Sequence, residues 1–472
     1  MKNKTTQLFA KHQSPRVFDN RFPLTPALSP GERESRIRFL DQPEPFHYGD
    51  GRETILPLPG GEGRGEGKES AATPMARSFA IALTFSTLLL AAVFPGAVAR
   101  GAAADTIRIE RTPDSLGFLP PIKISISGLP IEAESILKFD LLFMGFTNVP
   151  PDQAEYLVNG SVSGGVTSGR VLNRINKNEV LAKGFSGGNQ RTQIHALADL
   201  IAEKLTLKPG IAQTKITFKV QPHTQGIGEI YIADYDGFNA QAVTQDNAIA
   251  AAPCWAGHSM LFYISYKNGK PDIFSHNLAT GARKPVARFN GSNISPSVSP
   301  DGKRLAMILS KSGSPDLYVG DLDGGNLRQL THTKEEESSP CWAPDNRTIC
   351  FVSRKTGSTA LYKISVEGGE MQRIAAGVAN PTEPDWSPDG RFIIFTSLGG
   401  DFNLFLIPAD GRGVATALVA GEDPSWAPNS RAVVFTRRAR NSRVLSLLDV
   451  PTKQVKDVGR ISGSNSQPSW AK

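Results

Sequence analysis

The sequence predicts a small α/β domain followed by an all-β six-bladed propeller. Three observations carry this expectation. A proline-led motif, usually with a Trp two residues on, recurs through the C-terminal half: PCWAGH from Pro253, PSVSPD from Pro296, PCWAPD from Pro340, PDWSPD from Pro384, PSWAPN from Pro424 and PSWAK from Pro468. The copies lie 43, 44, 44, 40 and 44 residues apart, the period of a propeller blade. Each of the five full copies runs into a β-rich apolar segment (LFYIS, LAMILS, ICFVS, FIIFTS, VVFTR), while upstream the chain alternates short strand patterns with two helical ones.

Composition agrees. At 472 residues the chain has room for two or three domains. It is 39% hydrophobic with 45 Gly and 34 Pro, enough for a core and too rich in turn formers for a long bundle. Against 45 acids stand 52 Lys and Arg, a surplus of +7 too mild to point to nucleic acid. The three Cys form no CxxC and the seven His no HExxH, so neither a disulfide scaffold nor a zinc site is expected, and no cofactor.

Residues 1–74 read as a disordered or spurious upstream extension, low in apolar content and rich in Gly and Pro (LTPALSPGERE, LPLPGGEGRGEG). From Met75 the chain has the layout of a secretory signal peptide over 75–104: Arg77, an apolar stretch from Phe79 to Phe94, then small residues at Ala97-Val98-Ala99 and Ala102-Ala103-Ala104. The stretch ends at Pro95-Gly96 and is shorter than the ~20 residues of a membrane span. An exported product with no membrane span after cleavage is the expectation, with Met75 as the working start.

Residues 105–214 read as the α/β domain. Asp105–Glu110 and Ile122–Ile126 alternate as strands do. Ile131–Gly145 has Ile136, Leu137 and Leu141 on one helix face, with Gly145 as its stop. Tyr156–Val162 and Val180–Phe185 read as strands. Thr192–Leu205 is amphipathic, with Ile194, Leu197, Ile201 and Leu205 sharing a face. His195 is expected beside that face as a surface or boundary residue without a catalytic role.

From residue 215 each repeat reads as four short strands. Five full blades start at Pro253, Pro296, Pro340, Pro384 and Pro424. The sixth is split: Pro468–Lys472 supplies its innermost strand, and Ile216–Val220 with Glu229–Thr244 supply the others. An open ring would expose two strand edges, and joining the chain ends in one blade removes them. The Trp side chains are expected to fill the wedges between blades.

Those residues resemble the TolB family, periplasmic propellers of the Tol–Pal envelope system. The more particular matches are Thr106-Ile107-Arg108-Ile109-Glu110, ILKFDLLFMGF, AEYLVNGSV, ALADLIAEKLT running into KITF, and DYDGFN from Asp234. The resemblance covers 105–472 and implies a non-catalytic scaffold that binds a Pal-like peptidoglycan-associated lipoprotein through the propeller and supports envelope integrity during cell division. It also implies that Thr106–Glu110 contacts the inner-membrane partner TolA. The alternative is an exported propeller with another protein or glycan ligand. Propellers of prolyl oligopeptidase-like enzymes share the repeat, but such an enzyme adds a hydrolase domain with a GxSxG nucleophile elbow, which is not expected here.

The loop before each innermost strand sits at the channel mouth. Candidate partner-binding residues there are Asn293, Ser295, Ser338, Ser339, Thr382, Glu383, Glu422 and Asp423. Thr382-Glu383-Pro384 has the Thr-Glu-Pro form that the resemblance associates with lipoprotein docking. Farther out lie Lys267, Lys270, Lys311, Arg354, Lys355, Arg437, Arg438, Arg440 and Arg443, a solvated rim or a means of steering an acidic partner. If Pro344–Arg347 is the turn of its blade, Cys341 faces Cys350, a candidate disulfide in an oxidising compartment, while Cys254 stays free.

Overall fold

The computed structural model describes residues 112–222 and 227–472. The signal segment, the extension before it and Thr106–Glu110 lie outside the described residues.

The α/β domain is one five-stranded sheet with two helices. Its strands are β1 (Ile122–Ser127), β2 (Phe146–Asn148), β3 (Tyr156–Ser163), β4 (Val166–Asn173) and β5 (Glu179–Phe185), in the order β2-β1-β3-β4-β5. β1 pairs in parallel with β2 and β3, and β3–β4–β5 form an antiparallel meander. Helix α1 (Ile131–Leu142) ends before Gly145, whose φ of +91° only glycine adopts freely. Helix α2 (Gln190–Thr206) starts at Asn189, whose Oδ1 accepts the Thr192 N–H at 2.9 Å. Ile194, Leu197, Ala198 and Ile201 of α2 are completely buried beside Leu137 and Leu141 of α1. β2 and β4 were not foreseen. β2 has three residues, too few for a pattern. β4 carries Gly and Ser where Leu197 of α2 packs against Gly169, leaving no room for a Cβ.

The rest folds as six four-stranded sheets. The inner strands are Ala250–Ala256, Asn293–Val298, Glu337–Trp342, Pro381–Trp386, Glu422–Trp426 and Ser464–Trp470, numbered here as blades 1 to 6. In blade 6, Ser464–Trp470 pairs antiparallel with Lys215–Gln221, which pairs in turn with Glu229–Asp234. The ring thus closes by main-chain hydrogen bonding between its two ends.

Each second strand lies between neighbouring blades and is covered on both faces. Met260–Ser265, Arg304–Leu309, Thr348–Ser353 and Phe392–Ser397 are therefore buried almost throughout, and their sequences are continuous apolar runs. Trp side chains bridge blades. Nε1 of Trp255 donates to Ser469 O at 3.0 Å, that of Trp342 to Ser297 O at 2.9 Å and that of Trp426 to Asp385 O at 3.2 Å, each on the preceding blade. Two depart from this: Trp386 turns to its own Gly390 carbonyl, and Trp470 reaches Thr214 Oγ1 at 2.7 Å.

The α/β domain rests on the propeller face where inner strands turn into second strands. There Asn429 Nδ2 donates to Phe143 O at 3.1 Å, and Arg391 donates to Leu116 O at 2.7 Å. Phe118 stacks on Phe392 with ring centroids 5.3 Å apart. The channel mouth, where inner strands begin, opens on the opposite face.

Candidate docking mouth of the propeller

Every inner strand carries the same irregularity at the mouth: its pairing with the second strand shifts just before the motif proline. The residue at each shift is left-handed, with φ of +47° at Ala252, +53° at Ser295, +49° at Ser339, +51° at Glu383, +54° at Asp423 and +53° at Gln467. A non-glycine residue pays about 1–2 kcal/mol for this conformation. Six such residues at equivalent positions are a constructed ring, and the bulge re-aims their N–H and side chain into the channel.

The eight candidate residues divide. Ser295, Ser338, Ser339, Thr382, Glu383 and Asp423 are half-buried at the channel wall. Asn293 is not available to a partner. It is completely buried, its Oδ1 accepts the Phe289 N–H at 2.9 Å, and its Nδ2 donates to Pro271 O and Phe289 O. Its role is to fold the loop. Glu422 is also buried and is gripped by Arg443 at 2.8 Å and Arg438 at 3.0 Å. The rim arginines keep solvent contact while pairing: the Arg438 side chain is 43% exposed and Arg440 is exposed. Arg438 also covers the Phe402 ring of blade 4, and Arg437 pairs with Asp457 at 2.7 Å within blade 5.

Glu383 and Asp423 face one another across one channel wall. Thr396 Oγ1 donates to Glu383 at 2.9 Å and Thr436 Oγ1 to Asp423 at 3.1 Å. Burial pushes the Glu383 carboxyl well above its ordinary range, and the neighbouring Asp423 charge pushes it further. Burial, then the Glu422 charge, raises Asp423 in the same way.

At the far end of the channel a cavity of about 270 Å³ is lined by Trp255, Trp342, Trp386 and Trp470. Lys472 closes on Asp385 there at 2.8 Å.

Cys341 and Cys350 are directly opposed, as the turn predicted, with Trp342 opposite Ile349. Both are buried and held as thiols, and Cys254 is a third free thiol. Burial raises the Cys341 thiol, and the adjacent Cys350 adds to it.

His195 is corrected from a boundary residue to a buried one. Its Nδ1 lies 2.7 Å from Oδ2 of the completely buried Asp140. Its Nε2 faces Asp236 at 3.9 Å, and Asp236 is paired with Arg191. The GxSxG spacing that was not expected does occur, at Gly184-Phe185-Ser186-Gly187-Gly188. It follows an antiparallel edge strand, Ser186 is exposed, and neither Ser186 nor the His195 Nε2 has a side-chain hydrogen bond to the other. No nucleophile–base pair results. Among the described residues no cluster of three or more His, Cys, Asp or Glu could hold a metal ion, and no helix is long and apolar enough to cross a membrane.

Fold and mouth together define a six-bladed propeller with an α/β domain on one face and a ring of bulged, half-buried polar residues on the other. The chain belongs to the TolB beta propeller family, whose domain model matches residues 202–472. It is 33% identical over 194 residues to the Tol-Pal system protein TolB of Nitrosomonas europaea, covering 35% of this chain and 45% of that one. It is 39% identical over 125 residues to the protein TolB homolog of Chlamydia felis, covering 25% and 29%. The chain thus spans less than half the length of these curated relatives. The crystal structure of TolB from Acinetobacter baumannii superposes with a TM-score of 0.67 at 23% identity, covering 76% of this chain and 98% of that one, and shares its fold.

Proposed function

We propose that this protein is a non-catalytic, periplasmic propeller of a Tol–Pal system and docks a Pal-like peptidoglycan-associated lipoprotein at the channel mouth, supporting envelope integrity during division. The observation that carries the reading is family membership over the propeller, joined to a mouth that the α/β domain leaves open. Ser338, Ser339, Thr382 and Glu383 are the docking residues in this reading, half-buried and set on bulges rather than on mobile tips. A mouth of this kind can contribute to an interface of roughly 1,600 Å². The reading extends to Thr106–Glu110 as the segment that meets a TolA-like inner-membrane partner.

The test is capture from a solubilised envelope extract with wild type and a Ser338→Arg, Thr382→Arg variant, both at half-buried sites. Wild type is expected to retain a peptidoglycan-associated lipoprotein and the variant to lose it while keeping its circular dichroism spectrum. Failure of wild type to capture any such lipoprotein, or equal capture by the variant, overturns the reading.

A further inference from the structure

The ring of bulge residues closes on itself over only half of the channel. Glu383 Oε2 accepts the Asp423 N–H at 2.9 Å, Asp423 Oδ2 accepts the Gln467 N–H at 3.1 Å, and Gln467 Oε1 accepts the Ala252 N–H at 2.9 Å. The rule is one of succession: a side-chain oxygen on one blade satisfies the left-handed N–H of the next. At the other three junctions the preceding residue is Ala252, Ser295 or Ser339, which has no oxygen or only one on a short arm. No side chain among the described residues accepts the N–H of Ser295, Ser339 or Glu383. These three share the φ and the pairing shift of their satisfied counterparts, so their N–H groups are aimed at the place a preceding carboxylate would fill.

Charge distinguishes the two halves as well. Over the closed half Arg438 and Arg443 are taken up by Glu422 and Arg437 by Asp457, which leaves Arg440 exposed. Around the open half Lys334, Arg354 and Lys355 are exposed, and Lys311 lies over the Phe289 and Tyr318 rings. These four cations stand against Glu335, Glu336 and the buried Glu337 on the same loops. Main-chain N–H groups without a side-chain acceptor on three successive blades, under a cationic rim, suit an anion.

We propose that the arc of Ser295, Ser339 and Glu383 N–H groups is a subsite for one acidic side chain of the docking polypeptide, whose carboxylate supplies the oxygens missing from this half of the ring. The inference rests on the mouth being the docking face and deepens that reading. It gives the partner a stated chemistry: an Asp or Glu at the tip of the segment that enters the channel.

The probe is N-acetyl-aspartate methylamide, titrated into isotopically labelled full-length protein and read by amide NMR. The Ser295, Ser339 and Glu383 amides are expected to move downfield, while those of Ala252, Asp423 and Gln467 stay within error. The asparagine analogue is expected to bind about tenfold more weakly, since charge assistance is worth about 1.4 kcal/mol or more. Ser339→Glu should fill the arc from within, as Glu383 does for its neighbour, and abolish the shift at Glu383. Ser295→Gln does so without adding charge and serves if the first variant fails to fold. No shift at the three amides, or equal shifts with the asparagine analogue, overturns the subsite. Lipoprotein capture separates the two claims. If Ser339→Glu captures it as well as wild type does, the subsite fails and the docking reading stands. If wild type captures none but the three amides shift, the docking reading fails and the subsite stands.

Discussion

The Tyr235 hydroxyl donates to Oδ1 of Asp140 at 2.5 Å, joining the propeller to helix α1 through two completely buried side chains. His195 holds the other carboxylate oxygen at 2.7 Å, and the Tyr235 ring stacks on Trp470 with centroids 5.9 Å apart. The α/β domain is therefore tied to the blade that closes the ring. Burial raises the Tyr235 hydroxyl well above its ordinary value, and the Asp140 charge raises it further, so it remains a donor.

Tyr235→Phe leaves one oxygen of a buried carboxylate unpaired. The expected loss is about 1–3 kcal/mol of unfolding free energy, measured in urea. Asp140→Asn combined with Tyr235→Phe should cost less than the sum of the single changes, because the two residues share one hydrogen bond. Additive losses would show that the contact contributes nothing of its own.

Glu337 sits buried under blade 3, accepting from Ser353 Oγ at 2.9 Å and from Thr333 Oγ1. Burial pushes its carboxyl up to about 7. A group whose folded pKa is raised binds its proton more tightly in the folded state. Its stabilising contribution is full below the unfolded value and is lost as pH rises through about 7. Glu337→Gln is expected to be near neutral at acid pH and to stabilise at alkaline pH by about 1–3 kcal/mol. Melting temperatures across that range check it, and a difference independent of pH would contradict the assignment.

Asn293→Ala removes an amide that makes hydrogen bonds to the Phe289 N–H, Phe289 O and Pro271 O. Stability should fall by about 1–3 kcal/mol, while Ser339→Ala, half-buried and without a side-chain hydrogen bond, should lie within about 0.5 kcal/mol of wild type. Chemical denaturation of both variants tests this separation of loop-folding residues from mouth-lining ones.

Cys341 and Cys350 are directly opposed across one hairpin, a placement whose usual Cα separation a disulfide can bridge. Refolding with oxidised glutathione should form the bond, the two thiols passing electrons and protons to give two reduced glutathiones. Thiol titration of the unfolded, unreduced product should then find Cys254 alone, against three thiols in protein kept reduced. Three thiols after oxidation would exclude the disulfide. The loop is short, so the gain in stability should be small.

The sequence by itself determined the repeat, the blade count, the split closing blade and the hairpin register that opposes the cysteines. All of these follow from local periodicity: alternation within strands, Pro-Asp turns and a fixed spacing of large rings. The resemblance at DYDGFN was legible as well, but not its reason. Tyr235 and Asp236 of that segment meet Asp140, His195 and Arg191 only when two domains pack. Asn293 and Glu422 read as mouth residues because they precede inner strands, and only the tertiary structure showed them turned inward against loop carbonyls and arginines. The half-closed ring was hidden for the same reason. Each of its hydrogen bonds joins residues about one blade or more apart in sequence. No local pattern encodes which neighbour carries the oxygen, because that is set by the circular order in which the blades assemble.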